Sequence, residues 1–199
     1  MSDRNARFAG KVVVITGAAM GIGKACAQAF AAEGGAVVIG DINEQKRSET
    51  VDEILASGGK AVGAHCDVRV AQDVQALIET AVSTFGGVDV LYNSAGVVRY
   101  GTVEELTEED WDFQVDINLK GSFLTCKYAI PEMRKRGGGS IVNTASVQAF
   151  ASQKTVAAYA ASKGGVVSFT TTVALDHAHE NIRCNCIAPG SIHTPMLDD

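Results

Sequence analysis

Six apolar runs of strand length alternate with five longer amphipathic stretches along this chain, and that alternation leaves few folds open. The runs lie at 12–16, 36–41, 61–67, 88–93, 140–146 and 182–188. Most are near-continuous Val, Ile, Ala and Cys, as strands covered on both faces should be. The stretches between them, 23–33, 43–57, 71–85, 108–136 and 155–180, carry helical patterns. Strand and helix alternating this regularly requires right-handed crossovers and a parallel sheet. The expected fold class is therefore α/β, a doubly wound parallel sheet. No linker, repeat or low-complexity tract interrupts the series, so residues 1–199 read as a single domain.

Composition narrows the partners. Hydrophobic residues make up 46% of the 199 and charged residues 20%, the mixture of a globular protein with a substantial core. A net charge of −6 argues against a nucleic-acid partner, because a phosphate backbone needs a concentrated basic face. The cluster Arg134, Lys135 and Arg136 reads as cations at a helix C-terminus, before Gly137 to Gly139 stop it. No apolar run reaches the roughly 18 residues that span a bilayer, and the first ten residues lack the apolar stretch of a secretion signal. Five cysteines without framework spacing read as reduced core thiols and point to the cytoplasm. Cys184 and Cys186 share a strand face, but no His or further Cys stands nearby, so no metal site is expected.

In such sheets, ligands sit beyond the C-terminal ends of the strands. The residues there are unusual for loops: Thr16-Gly17, Asp41, Asp67-Val68, the run Asn93 to Gly96, Ser146 and Pro189-Gly190. They describe a long groove floored by backbone. Its first turn is T-G-A-A-M-G-I-G, with Gly17, Gly21 and Gly23. Glycines there allow a tight turn and close backbone approach to phosphates, and the helix behind offers unpaired N–H groups to a pyrophosphate. The spacing is G-x-x-x-G-x-G, and no Lys-Ser/Thr follows, as an ATPase loop would need. Alone, the turn is equally a structural one. Asp41 shifts the balance, because a carboxylate ending the second strand can accept hydrogen bonds from adenosine ribose hydroxyls. It would repel a 2′-phosphate, and Met20 supplies no compensating cation. NAD(H) is thus expected over NADP(H), with Arg47 facing solvent or a neighbouring acid.

Tyr159 and Lys163, in YAASK, stand four residues apart on one helix face. An ammonium beside a phenol favours the phenolate and draws its pKa of about 10 towards neutrality. Asn118 and Ser146 precede them. At this point the chain closely resembles the short-chain dehydrogenase/reductase family, over essentially all 199 residues. The motifs are TGAAMGIG at 16–23, CDV at 66–68, NSAG at 93–96, Asn118, Ser146, YAASK at 159–163 and IAPGSIHTP at 187–195. NSAG carries Ser94 where the family usually has a second Asn.

The resemblance implies a Rossmann-like sheet of strand order 3-2-1-4-5-6 and an oxidoreductase acting on an alcohol or carbonyl. Tyr159 would be the general acid/base. Lys163 would lower its pKa and bond the nicotinamide ribose. Ser146 would hold the substrate oxygen, and Asn118 would interrupt its helix to hold a water linking Lys163 to solvent. The implied cofactor-facing residues are Gly17, Met20, Gly21, Ile22, Gly23, Asp41, Asp67, Val68, Asn93, Ala95, Gly96, Tyr159, Lys163, Pro189, Gly190, Ile192 and Thr194. Taken singly, several have plainer readings. Ser146 can cap a turn, Asn118 can be an ordinary helix residue, Asp67 can form a turn, and Thr194 can cap a helix before Pro195.

Substrate contacts are expected from Val98, Gln148, Gln153 and His193, in a wall that includes Val97, Arg99, Tyr100 and Phe150. Polar groups of this kind suit a hydroxyl-rich substrate, and the SVQ run at 146–148 resembles that of some aldose dehydrogenases in the family. A sugar or polyol is the expected small-molecule substrate. The alternatives are a 3-oxoacyl (fatty-acid type) reductase, weakened by the NAD(H) reading, and a truncated nucleotide-binding protein without catalysis. Family members usually continue through a lid helix and a seventh strand, which this chain is expected to lack. Relatives usually pair two long helices into a homodimer or homotetramer; Gly164 and Gly165 would allow that approach, and Pro131 suggests a kink.

Overall fold

The computed structural model describes residues 6–194. Strands β1 (Val12–Thr16), β2 (Ala36–Asp41), β3 (Lys60–His65), β4 (Val90–Asn93), β5 (Gly139–Thr144) and β6 (Ile182–Ile187) alternate with helices. The helices are α1 (Gly21–Ala32), α2 (Glu44–Ala56), α3 (Ala71–Phe85), α4 (Glu108–Val115), α5 (Gly121–Lys135) and α6 (Ala157–His177). All six strands are parallel, in the order β3-β2-β1-β4-β5-β6. This is the doubly wound α/β sheet expected from the alternation.

Burial explains the layering. Every residue of β1, VVVIT, is buried, because alternate side chains leave opposite faces of the strand and both faces are covered. Val12 and Val14 join Leu77, Ile78, Leu124 and Met133 in one core. Val13 and Ile15 join Ala27, Ala31, Ile39 and Ile54 in the other. The two edge strands depart from the continuous-burial expectation. β3 is only partly buried, and β6 exposes Arg183, Asn185 and Ile187, since a sheet edge has no neighbour on one side.

The crossover from β3 to β4 returns the chain to the far side of β1, where Thr16 lies beside Asn93. Loops leaving β1 and β4 therefore diverge and open a crevice at that end. The apolar runs overshoot the ladder at 61–67 and 140–146: β3 stops at His65 and β5 at Thr144. Asp67 and Ser146 are thus released into turns at the crevice. The helical stretch 108–136 is divided by a π-helical turn, Asp116–Lys120, which contains Asn118 and matches the expected interruption. The last helix ends at His177, followed by a 3₁₀ turn, Ala178–Glu180, and left-handed Asn181.

The basic cluster behaves as expected and also makes ion pairs. Arg134 and Lys135 occupy the last turn of α5, Arg134 bonds Glu180 and Arg136 bonds Asp89. Gly165 has a reason inside the chain: a Cβ there would lie 2.7 Å from Leu119 of the π turn, whereas Gly164 faces open space. All five cysteines are free thiols. Among the described residues no helix is long and apolar enough to cross a membrane, and no cluster of three or more His, Cys, Asp or Glu could hold a metal ion. Pro195, and with it the helix that Thr194 was expected to cap, lies outside the described residues.

Gly17 is the position where side-chain absence matters most for the crevice. Its φ is +66°, and a Cβ would come within 2.6 Å of Ala95 Cα, a backbone atom that cannot swing aside. Gly58 also has positive φ, at +82°, but nothing lies within 4 Å. Gly17→Ala is expected to destabilise by about 2 kcal/mol or more, and Gly58→Ala by about 1 kcal/mol. Urea midpoints at unchanged slope would measure both, and equal losses would contradict the close approach.

Candidate functional site

A cavity of about 480 Å³ runs along the C-terminal strand ends. Of the residues expected from sequence, Gly17, Met20, Gly21, Ile22, Gly23, Asp41, Asp67, Val68, Ala95 and Gly96 line its nucleotide end. Ser146, Tyr159, Lys163, Pro189, Gly190, Ile192, Thr194, Val98, Gln148 and Gln153 line the rest. Asn93, Asn118 and His193 are not in the lining.

The nucleotide end fits a dinucleotide. α1 starts at Gly21 with no capping side chain from Met20 and no acid in its first turn. Its first N–H groups and partial positive charge therefore face the cavity. A Cβ on Gly23 would strike the Gly17 carbonyl, which keeps helix and turn in contact. Asp41 is fixed by two backbone donors, accepting from Ala19 N–H at 3.0 Å and Asn43 N–H at 2.9 Å. Arg47 departs from expectation: Nη1 donates to the main-chain oxygen of Asp41 at 2.7 Å, so the guanidinium serves the strand end. Asp67 forms the turn that its plainer reading expects. It lines the cavity, but its carboxylate caps the Arg69 N–H at 3.0 Å and pairs with the Arg69 guanidinium at 2.6 Å. Those hydrogen bonds hold its carboxyl below the usual range.

Asn93 corrects the sequence reading. Alternation along β4 turns its side chain into the core, where Nδ2 donates to Asn143 Oδ1 at 2.8 Å and Oδ1 is left without a partner. Only its carbonyl serves the site's surroundings, accepting from Thr144 Oγ1 at 2.7 Å.

The chemical end is assembled by α6 and the end of β5. Ser146 begins a 3₁₀ turn, Val147–Ala149, and its oxygen accepts from Gln148 N–H at 3.2 Å, as the turn-capping reading anticipates. Ser146 and Tyr159 line the same cavity, and the Ser146 side chain draws the Tyr159 phenol down. Lys163 is only 3% exposed, and its Nζ donates to the Thr144 carbonyl at 2.8 Å. The Tyr159 phenol lies above its ordinary range, where the pairing with Lys163 led one to expect a lowered value. Burial pushes the Tyr159 phenol up, the Ser146 side chain opposes this, and Tyr100 adds to the rise. The Lys163 ammonium lies over the ring, 5.6 Å from its centroid, with its proton directed at Thr144.

Asn118 is a clamp. Its Oδ1 accepts from Val97 N–H at 2.9 Å, and its Nδ2 donates to Val97 O at 3.0 Å and Ser162 Oγ at 3.1 Å. Ser162 Oγ in turn donates to the Tyr159 carbonyl at 2.7 Å. The Asn118 carbonyl accepts from Ser122 Oγ at 3.2 Å. A Cβ on Gly96 would sit 3.2 Å from Asn118 Oδ1 and 3.3 Å from Lys163 Nζ, which shows how near the clamp lies to the amine.

Around the substrate end, Val97, Val98, Tyr100, Val147 and Val156 line the cavity. Gln148 and Gln153 line it too, but they bond each other: Gln148 Nε2 donates to Gln153 Oε1 at 3.1 Å, and Gln153 N–H to Gln148 Oε1 at 2.9 Å. Arg99 turns away to Asp110 at 3.4 Å and stacks over Phe113. Phe150 is exposed and outside the lining, and His193 is exposed beyond the rim. Sequence reasoning missed Thr144, which acts through a carbonyl and so has no residue signature, and Gln114, a buried amide that looks like any polar helix residue. Val156 was missed because an apolar residue before a helix reads as core.

The model of the family described as short chain dehydrogenase matches residues 11–199. A cyclohexanol dehydrogenase of Acinetobacter sp. is 40% identical over 192 residues, 96% of this chain and 76% of that protein. A 3-oxoacyl-[acyl-carrier-protein] reductase of Thermotoga maritima is 41% identical over 192 residues, 96% of this chain and 78% of that protein. The crystal structure of a short-chain dehydrogenase/reductase from Burkholderia xenovorans superposes with a TM-score of 0.93 at 37% identity, covering 97% of this chain and 79% of that one. The chain belongs to the short-chain dehydrogenase/reductase family. It is an oxidoreductase of the class that works on CH–OH or carbonyl groups with a nicotinamide cofactor.

Burial pushes the Lys163 ammonium from its ordinary 10.5 down to about 8. Its charge therefore costs stability, fully so below pH 8. The cost is relieved as pH rises from about 8 to 10.5, where the unfolded chain still holds a proton that the folded chain has lost. That displacement corresponds to about 3 kcal/mol. Lys163→Met removes the titration. Across this window, urea denaturation should show wild type gaining on the variant by up to about 3 kcal/mol; a constant difference would contradict a buried, charged amine.

Proposed function

We propose that this protein is an NAD(H)-preferring dehydrogenase that moves a hydride between the nicotinamide and a secondary alcohol or its ketone. One observation carries the reading: Ser146, Tyr159 and the buried Lys163 share a cavity with an uncapped helix N-terminus and Asp41. The nicotinamide, when bound, supplies the hydride acceptor or donor. Tyr159 is the proton-transferring group. Burial keeps its hydroxyl protonated near neutrality, so it is ready to protonate an alkoxide as a ketone is reduced. In the oxidising direction it receives the alcohol proton once ionised, a state that the Ser146 side chain favours. Ser146 also donates to the substrate oxygen as charge develops there. Lys163, fixed by Thr144, keeps a positive charge beside the phenol ring and would hold the nicotinamide ribose. Asn118 holds the Val97 loop against α6, which sets the geometry of all three.

The substrate end supports an alcohol with an apolar body. Its walls are Val98, Val147 and Val156, and the two glutamines expected to recognise a sugar spend their amides largely on each other. The 40% identical cyclohexanol dehydrogenase agrees with this choice. A 3-oxoacyl reductase is the second reading, favoured by the 41% identical relative. The retained Ser146, Tyr159 and Lys163 cluster favours catalysis over a non-catalytic nucleotide-binding role. A homodimer or homotetramer in the cytoplasm fits the resemblance, with exposed Trp111 and Phe123 on the helices that would pair.

A coupled assay of alicyclic alcohols, polyols and 3-oxoacyl thioesters with both cofactors tests the activity. Turnover of alicyclic alcohols is expected, and no turnover of any secondary alcohol would overturn the reading. Asp41→Ala should narrow the preference for NAD(H) by tenfold or more, about the value of one charge-assisted hydrogen bond. An unchanged ratio of kcat/KM for the two cofactors would remove the Asp41 assignment.

A further inference from the structure

Two loops meet above Tyr159, and Tyr100 is pinned where they meet. On one side of it, Arg99 N–H donates at 2.9 Å to Oε1 of Gln114, a fully buried amide. On the other, Gly101 N–H donates at 2.9 Å to the Thr155 carbonyl, and Gly101 forms a parallel bridge with Val156. Thr155 holds that carbonyl with φ at +62°, a left-handed conformation that a β-branched residue rarely adopts. Strain of this kind persists only where surrounding bonds enforce it. Val156 is three residues before Tyr159, so the strap sets the register of Tyr100 against the start of α6.

The side chain has the freedom its backbone lacks. Tyr100 lines the cavity, is 58% exposed, and its hydroxyl has no hydrogen-bond partner among the described residues. Tyr100 and Tyr159 line the same cavity. The valine walls offer no competing polar group, and Gln148 is already bonded at both ends of its amide.

We propose that Tyr100 orients the substrate by hydrogen-bonding a second oxygen a few bonds from the reacting carbon. The preferred substrate is then a vicinal or 1,3-oxygenated secondary alcohol with an apolar body. This rests on the dehydrogenase reading and goes beyond it. The reacting oxygen is held at Ser146 and Tyr159, the second oxygen at Tyr100, and the apolar body against Val98, Val147 and Val156. Three directions fixed in this way present one face of the carbon for hydride transfer. Because Tyr100 is half open to water, its unpaired hydroxyl can return to solvent. Loss of the second oxygen therefore costs one ordinary hydrogen bond, about three- to tenfold, far below the discrimination of a sealed polar site.

The test compares cyclohexane-1,2-diol with cyclohexanol in non-reacting complexes with the protein and NADH, followed by NADH fluorescence. Wild type should bind the diol about three- to tenfold more tightly. Tyr100→Phe should erase that preference while leaving affinities for cyclohexanol and NADH unchanged, and Gln153→Met should keep it. Equal affinity of wild type for the two alcohols, binding of neither, survival of the preference in Tyr100→Phe, or its loss in Gln153→Met would each overturn the proposal. Turnover with NAD is read separately. A binding preference that depends on Tyr100 without NADH formation from either alcohol would reject the dehydrogenase reading and retain the role of Tyr100.

Discussion

A single buried charge, the Lys163 ammonium donated to the Thr144 carbonyl at 2.8 Å, ties α6 to the end of β5, and the chemical end of the cavity depends on that tie. A buried cation is costly unless its hydrogen bonds are met. Here β5 stops at Thr144 and supplies the acceptor at the point where its ladder ends. The helix so fixed carries Tyr159 one turn before Lys163, and the strand so fixed releases Ser146 two residues later. The cost in stability is concentrated at the residues proposed to carry the chemistry, as expected of a site selected for activity.

The second constraint is the close approach of two loops at the switch between β1 and β4. Gly17 lies against Ala95 with no room for a side chain, so the glycine-rich turn after β1 and the NSAG loop are packed backbone on backbone. Asn118 extends that contact by holding Val97 at both its N–H and its carbonyl and by reaching Ser162 on α6. The π turn makes this possible, because widening the helix at 116–120 aims the Asn118 amide at a loop instead of along its own helix face. Nucleotide end and chemical end are thereby parts of one hydrogen-bonded frame.

Much of this was legible in the sequence for definite reasons. Strand runs such as VVVIT carry a period and a composition that only a doubly covered strand satisfies, so the sheet and its crossovers followed. The glycine turn, Asp41, Ser146, Tyr159 and Lys163 have spacings tied to backbone geometry, and the cavity brings them together. Less legible was anything decided by side-chain direction at a strand end. Asn93 sits in the right motif, yet alternation along β4 turns it inward. The Lys163 carbonyl partner leaves no trace in residue type, and the direction of the Tyr159 shift could not be read from spacing because burial, its largest cause, has no signature in the spacing. Gln148 and Gln153 looked like two free amides because their mutual bonds depend on the path of the 146–153 loop.

The central claim is that the Tyr159 hydroxyl exchanges the proton that accompanies hydride transfer. Its most direct test is the turnover of Tyr159→Phe with the best secondary alcohol found, alongside NADH affinity by fluorescence. The account predicts a fall in kcat of about 10²- to 10⁴-fold with NADH affinity changed by less than about threefold. A variant that keeps kcat within tenfold of wild type would contradict it.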